Sequence, residues 1–382
     1  MLDAWRGAAV LGVLMLHSCL PYLANGHPEL ATNPLFRVGL CGGLGVMLFF
    51  VISGYCIFGA AYGCISNQKS IGSYLFARIR RIYPPYWIAC AFALVVDLFT
   101  SYLQSRHLLP AYRFDQYHVA PVRNLEYWLT NASLTQQPFA ISPILTVAWS
   151  LCYEVTFYAI IGFFLFVSAS LKAKVRYYIL VFGCIALTVF SLLWLIVSPQ
   201  TCLFPLDRWY QFSLGALLFA VVSSEADRLK IWIRAGAVLS IVLAFIFALK
   251  ESAVYVPLGV SLRGQALTAP IFALILLLLK PYSERLAQKK WMTPMLGLGA
   301  ISYSVYLTHI HVIRYPAGAL RKIGLEGTWY VIPFLVQILT AMAFGWVFFR
   351  IVENKFISDR QTKRLKQELP GSENAHSMIP LG

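Results

Sequence analysis

The chain has 382 residues, 59% of them hydrophobic and only 12% charged, with a formal net charge of +15 and a mean hydropathy of +0.68. A soluble domain carries about 25% charged residues, so this composition excludes a soluble enzyme and points to a multi-pass protein of a cell (inner or plasma) membrane, with the lipid bilayer as its first partner. The positive excess fits the cytoplasmic bias of Lys and Arg; no segment looks like a nucleic-acid module, and no nucleic acid is expected.

Ten apolar runs are long enough to span, at 4–23, 39–62, 83–101, 145–168, 176–197, 206–223, 232–249, 261–279, 295–316 and 328–350. Each is close to the ~20 residues a bilayer requires. The expected fold is an all-α integral membrane protein, a bundle of about ten transmembrane helices. With the N-terminus inside, 21 of the 31 Lys and Arg fall on the inner side, so both termini are expected to be cytoplasmic. The first run has no small-residue cleavage site and is expected to remain as an anchor.

In that first run Arg6 and His17 stand eleven residues apart. Eleven steps of about 100° bring both side chains to one face, about 16 Å apart along the axis. A charged group at mid-bilayer costs roughly 2.5–3.5 kcal/mol on insertion scales, so an imidazole aligned with an arginine there reads as functional. The plainer alternative is a histidine hydrogen-bonded between helices. In the second run, FFVISGY, the small Ser53 and Gly54 let a helix or a ligand approach closely. Arg78 and Arg81 precede the third run, whose start is expected at Pro84-Pro85. Three apart, they can share a helical face and clamp a phosphate, or simply anchor to anionic headgroups.

The longest connection, 102–144, falls outside and is aromatic, with Tyr112, Tyr117, Tyr127 and Trp128 among its residues. Such faces suit sugar rings or a headgroup-level belt, and Asn131-Ala132-Ser133 matches a glycosylation sequon. The fourth run opens with WSLCYEVTFY. Its Glu154 needs a partner or a wet cavity, for which His17 and Arg6 are the economical candidates, and a carboxylate beside an imidazole could form a catalytic dyad or a structural ion pair. In the ninth run Ser302, Tyr306 and His309 follow an i, i+4, i+7 stripe; His309 either positions a ligand or satisfies a neighbouring helix, and His311 is expected at the interface. Arg350 and Glu353 can pair, or Glu353 can brace Arg78 and Arg81. The basic-to-polar tail 358–382 is expected to be disordered. The eight cysteines, without a CxxC pair, read as packing residues; Cys19, Cys41 and Cys202 lie near one face.

Taken together, these segments resemble the acyltransferase 3 family of integral membrane acyltransferases. Arg6 and His17 match its R-x10-H signature, FFVISGY its FFVxSG(F/Y) element, and Arg78, Arg81 and Pro84 its R-x-x-R motif. WSLCYEVTFY, GAISYSVYLTH and Arg350 to Glu353 match three further elements in order, so the resemblance covers residues 3 to about 357, the expected transmembrane domain being 1–357. One departure is Met47, where members usually carry an acidic or polar residue. Another is that no SGNH-type esterase domain follows, so the membrane domain would act alone or with a separate partner.

The resemblance implies transfer of an acyl group, most often acetyl from acetyl-CoA, to a glycan or lipid-linked glycan acceptor. It implies His17 as catalytic base or acyl relay, with Arg6 and Glu154 as its catalytic companions. Arg78 and Arg81 would bind the CoA phosphates, with Ser53, Tyr303 and His309 completing the donor site, and no metal would be needed. The rival class is a polytopic secondary transporter of an anionic or proton-coupled solute, which intramembrane charges also fit. Transporters often show repeated halves and helices broken at matching positions, features this sequence does not display.

Overall fold

In a computed structural model, all regular elements among the described residues are helical; those residues are 1–24, 33–107, 124–223, 229–251, 261–322 and 331–357. The aromatic stretch 108–123 and the tail 358–382, on which two expectations rest, lie outside them. The helices in chain order are α1 (Leu2–Ala24), α2 (Pro34–Leu40), α3 (Leu44–Ser66), α4 (Ile71–Ser105), α5 (Leu125–Ser133), α6 (Ala148–Val167) and α7 (Ala173–Val197). They continue as α8 (Leu206–Ser223), α9 (Lys230–Lys250), α10 (Leu262–Leu279), α11 (Ser283–Ala287), α12 (Thr293–Ala300), α13 (Ser302–Lys322) and α14 (Val331–Ile351).

Seven helices among the described residues are long and apolar enough to cross a membrane, or eight if the bent pair α12–α13 counts as one span. Two others have the length but carry polar groups, Asp3 and Arg6 in α1, and Asp207, Arg208 and Gln211 in α8. Asp3 and Gln211 turn inward, being 7% and 1% exposed. Large apolar residues such as Phe163, Phe166, Leu249 and Leu339 face outward instead, as expected of a protein whose solvent is hydrocarbon.

The centre of the bundle is aromatic. Phe50 of α3 and Phe157 of α6 both stack on Phe212 of α8, with ring centroids 4.4 and 5.1 Å away. This packing needs α3 and α8 to meet backbone to backbone. A Cβ on Gly54 would overlap the Phe212 carbonyl oxygen, and one on Gly215 would overlap that of Val51. Close approach through small residues is how helices gain contact where burial from lipid gives little driving force.

Two expectations about the helices change. The third run does not start at its prolines: Ser70 caps α4, its Oγ accepting from the Ser73 amide at 3.1 Å, so the helix begins well before them, at Ile71, and carries Arg78 and Arg81 within it. Pro84 and Pro85 then sit inside a helix, where each removes one backbone donor; nearby, the Tyr303 hydroxyl donates to the Ile82 carbonyl at 2.9 Å. The ninth run is not one continuous helix either. It bends by 68° at Ile301, so a broken helix is present after all.

The outer connection also holds structure. The C-terminal turn of α5 lies against α4, its carbonyls at Asn131, Ala132 and Ser133 accepting from Tyr86, Trp87 and Tyr83, each at 2.9 Å. Asn131 is 1% exposed, donates to the Tyr127 and Ser142 carbonyls and accepts from the Ile144 amide at 2.7 Å. The sequon asparagine is a buried loop pin, unable to reach a glycosylating enzyme in the folded chain. His311 is buried, 1% exposed, and lies 3.8 Å from Asp97, which Arg314 pairs at 2.9 Å, clamping α13 to α4.

Candidate functional site

Five helices, α1, α3, α4, α6 and α13, line a shared pocket. α3 and α6 each present a helical stripe to it. From α3 come Val46, Phe49, Phe50, Ser53 and Cys56; from α6, Ser150, Glu154 and Tyr158 at i, i+4, i+8. α4 contributes Arg78, Arg81 and Ile82, α13 contributes Ser302, Tyr303 and Tyr306, and α1 contributes Arg6. The pocket thus gathers Arg6, Ser53, Arg78, Arg81, Glu154 and Tyr303, while His17 and His309 lie outside its lining.

Its charge is uneven. Arg6 pairs with Asp3 at 2.6 Å and donates to Cys56 Sγ at 3.2 Å. Glu154 Oε1 accepts from Tyr158 at 3.0 Å and from Ser53 at 3.4 Å. Among the described residues, Arg78 and Arg81 make no hydrogen bond or ion pair to a protein group; the Arg78 guanidinium lies over the Tyr74 and Tyr158 rings, 6.0 and 5.8 Å from their centroids. With Arg6 offset by Asp3, two arginines face one carboxylate, which leaves the pocket cationic and rich in unused forked donors.

Several expected pairings are not formed. Glu154 does not pair with His17. His17 packs against the His309 ring instead, with centroids 5.0 Å apart. Glu353 does not pair with Arg350, whose guanidinium lies over Trp346 at 5.6 Å. Its carboxylate is 3% exposed and accepts from the Ser304 amide and hydroxyl at 3.1 and 2.5 Å. There it satisfies an otherwise orphaned N–H at the start of α13, and its charge suits the positive end of that helix. Arg80 tethers the same segment, donating to the Phe356 and Ile357 carbonyls.

Sequence reasoning missed several residues of this wall. Cys56 is half-buried beside Arg6, so it is more than a packing residue; Cys41 is exposed, and all eight cysteines are free thiols. Ser150 shares a hydrogen bond of 2.7 Å with Tyr306 of the predicted stripe, across α6 and α13. The spacing Ser150-Glu154-Tyr158 was the available signal for α6. Met47, the departure in α3, lies with its Sδ 3.8 Å from Arg208 Nη1. Arg208 is therefore the group that faces the missing polar partner, and it meets Asp207 at 3.9 Å and the Trp149 ring at 6.0 Å.

A family model described as an acyltransferase domain matches residues 1–350. The chain is also 29% identical over 282 residues to a candidate membrane-bound transacylase, BcsY, of Komagataeibacter xylinus, a match covering 72% of this chain and 68% of that protein. No solved structure matches significantly.

Proposed function

Because the chain belongs to the membrane acyltransferase family whose model it matches over residues 1–350, we propose that it transfers an acetyl group from cytoplasmic acetyl-CoA to a hydroxyl of a glycan or lipid-linked glycan. In this reading ten spans cross the cell membrane with both termini inside, and residues 1–357 form the transferase domain.

The observation that carries it is the pair Arg78 and Arg81, which line a cationic pocket and make no hydrogen bond or ion pair to a protein group among the described residues. Phosphates of a CoA thioester fit such forked donors. A thioester is already activated, so the chain needs a base for the acceptor hydroxyl and donors for the developing oxyanion. His17 is the base: Arg6, the other member of the R-x10-H pair, is already engaged by Asp3 and Cys56. Arg6, fixed in this way, faces the thioester carbonyl, and Glu154, Ser53 and Tyr303 hold the donor's polar arm.

The test is purified protein with acetyl-CoA labelled in its acetyl group, in vesicles carrying extracted cell glycolipids. Label fixed on a hydroxyl of the acceptor fraction is the expected result. Uptake of solute with no covalent product overturns the reading in favour of a transporter.

A second measurement separates donor from acceptor. Arg78→Gln and Arg81→Gln each remove charge-assisted bonds worth about 1.5–3 kcal/mol, so each is expected to raise the KM for acetyl-CoA by about tenfold or more while the KM for the acceptor stays within about twofold. Equal effects on both substrates would place the arginines outside the donor site.

A further inference from the structure

His309 is fully buried, lies beside the proposed base and is not part of the pocket lining. Its Nδ1 lies 2.9 Å from the Tyr306 carbonyl and 3.2 Å from that of Val305. Carbonyl oxygens only accept, so Nδ1 carries the proton and Nε2 of the neutral ring bears the lone pair. Nε2 is buried and has no hydrogen-bond partner among the described residues, an arrangement that costs stability when left unused. The ring next to it is His17, tilted by 55° at a centroid separation of 5.0 Å. A centroid separation of 5.0 Å is short enough for nitrogens of the two rings to reach hydrogen-bond distance when they turn toward each other. The other polar neighbour on that helix, His311, is engaged by Asp97.

We infer that His309 is a positioning residue for His17: its fixed Nε2 lone pair receives the His17 N–H, and so presents the opposite His17 nitrogen, unprotonated, to the acceptor hydroxyl. The inference rests on the acyl-transfer reading above. In the step it serves, the hydroxyl proton passes to the free His17 nitrogen as the hydroxyl oxygen forms its bond to the thioester carbon. The carbon–sulfur bond then breaks, and the departing thiolate takes the proton from His17. His309 stays neutral throughout and exchanges no proton. The role parallels that of the orienting acid in a hydrolytic triad, with a lone pair held by helix carbonyls in place of a carboxylate.

Two conservative variants separate this role from a structural one. The amide of glutamine reaches the position of Nε2 and can offer an acceptor there, whereas that of asparagine reaches only the position of Nδ1 and keeps the bond to the helix carbonyls. His309→Gln is expected to keep kcat within about tenfold of wild type. His309→Asn is expected to lower kcat about 100-fold with the acetyl-CoA KM within about twofold. In protein labelled with 15N-histidine, the His17 ring should be a single tautomer in the wild type and in His309→Gln, and a mixture in His309→Asn. A kcat order reversed between the two variants, or an unchanged His17 tautomer in His309→Asn, overturns the inference. A wild-type protein that transfers no acetyl group fails the underlying reading instead, so the two failures are told apart.

Discussion

His17→Ala is expected to lower acyl transfer by about 100- to 10,000-fold, the range for loss of a positioned general base, while acetyl-CoA binding stays within about twofold. The second half of that expectation follows from geometry. His17 is not part of the lining of the arginine pocket, and its ring neighbour is His309 rather than Glu154 or Arg6. Its loss therefore removes a reacting group without disturbing the donor's contacts. Transfer of labelled acetyl and equilibrium binding of CoA, measured on the same detergent-solubilised preparation, check both halves. Transfer within about tenfold of wild type would remove His17 from the chemistry, and a parallel loss of CoA binding would make it part of the donor site.

The largest structural effect is expected from one added methyl group. In Gly54→Ala the new Cβ falls on the Phe212 carbonyl, so α3 and α8 must separate and the Phe50–Phe212 stack must open. Overpacking of this kind costs about 1–3 kcal/mol, and a backbone contact cannot be relieved by a rotamer change. Gly63, further along α3, is the control, since its nearest neighbour is an Asn67 amide nitrogen at 4.0 Å. Gly63→Ala is expected to be neutral or to stabilise by about 0.5–1 kcal/mol through helix propensity. Thermal unfolding of the two variants in detergent should place Gly54→Ala several degrees below wild type and Gly63→Ala at or above it. Equal melting temperatures would mean that the helices yield at this crossing.

The helical class and the positions of most long helices were legible because an apolar run of about 20 residues has the length at which a helix crosses hydrocarbon. Helix boundaries were less so. Pro84-Pro85 looked like a helix start, but a serine cap at Ser70 lies outside the apolar run, where hydropathy carries no signal. The bend at Ile301 was hidden for the opposite reason, since apolar composition continues through it. Periodicity did expose the stripe Ser302, Tyr306, His309, yet it could not say that Ser302 and Tyr306 face the pocket while His309 faces His17. Pairings across helices depend on which faces meet, and no single segment encodes that. This is why Glu154, expected beside His17 or Arg6, is held by Ser53 and Tyr158 in a pocket that Arg6 lines and His17 does not. The sequon at Asn131 failed likewise, because burial is a property of the folded loop and not of three letters.

Glu353 gives the pocket a history as well as a shape. Its carboxylate fastens the first turn of α13, and α1, made first, packs against α12, α13 and α14, made last. Arg6 therefore leaves the ribosome long before the helices that complete its surroundings, and at about 5–20 residues per second the interval is tens of seconds. During that time Arg6 lacks the α13 wall of the pocket it lines. The walls of the pocket therefore come together only after α13 has followed, with the Glu353 carboxylate fastening its first turn.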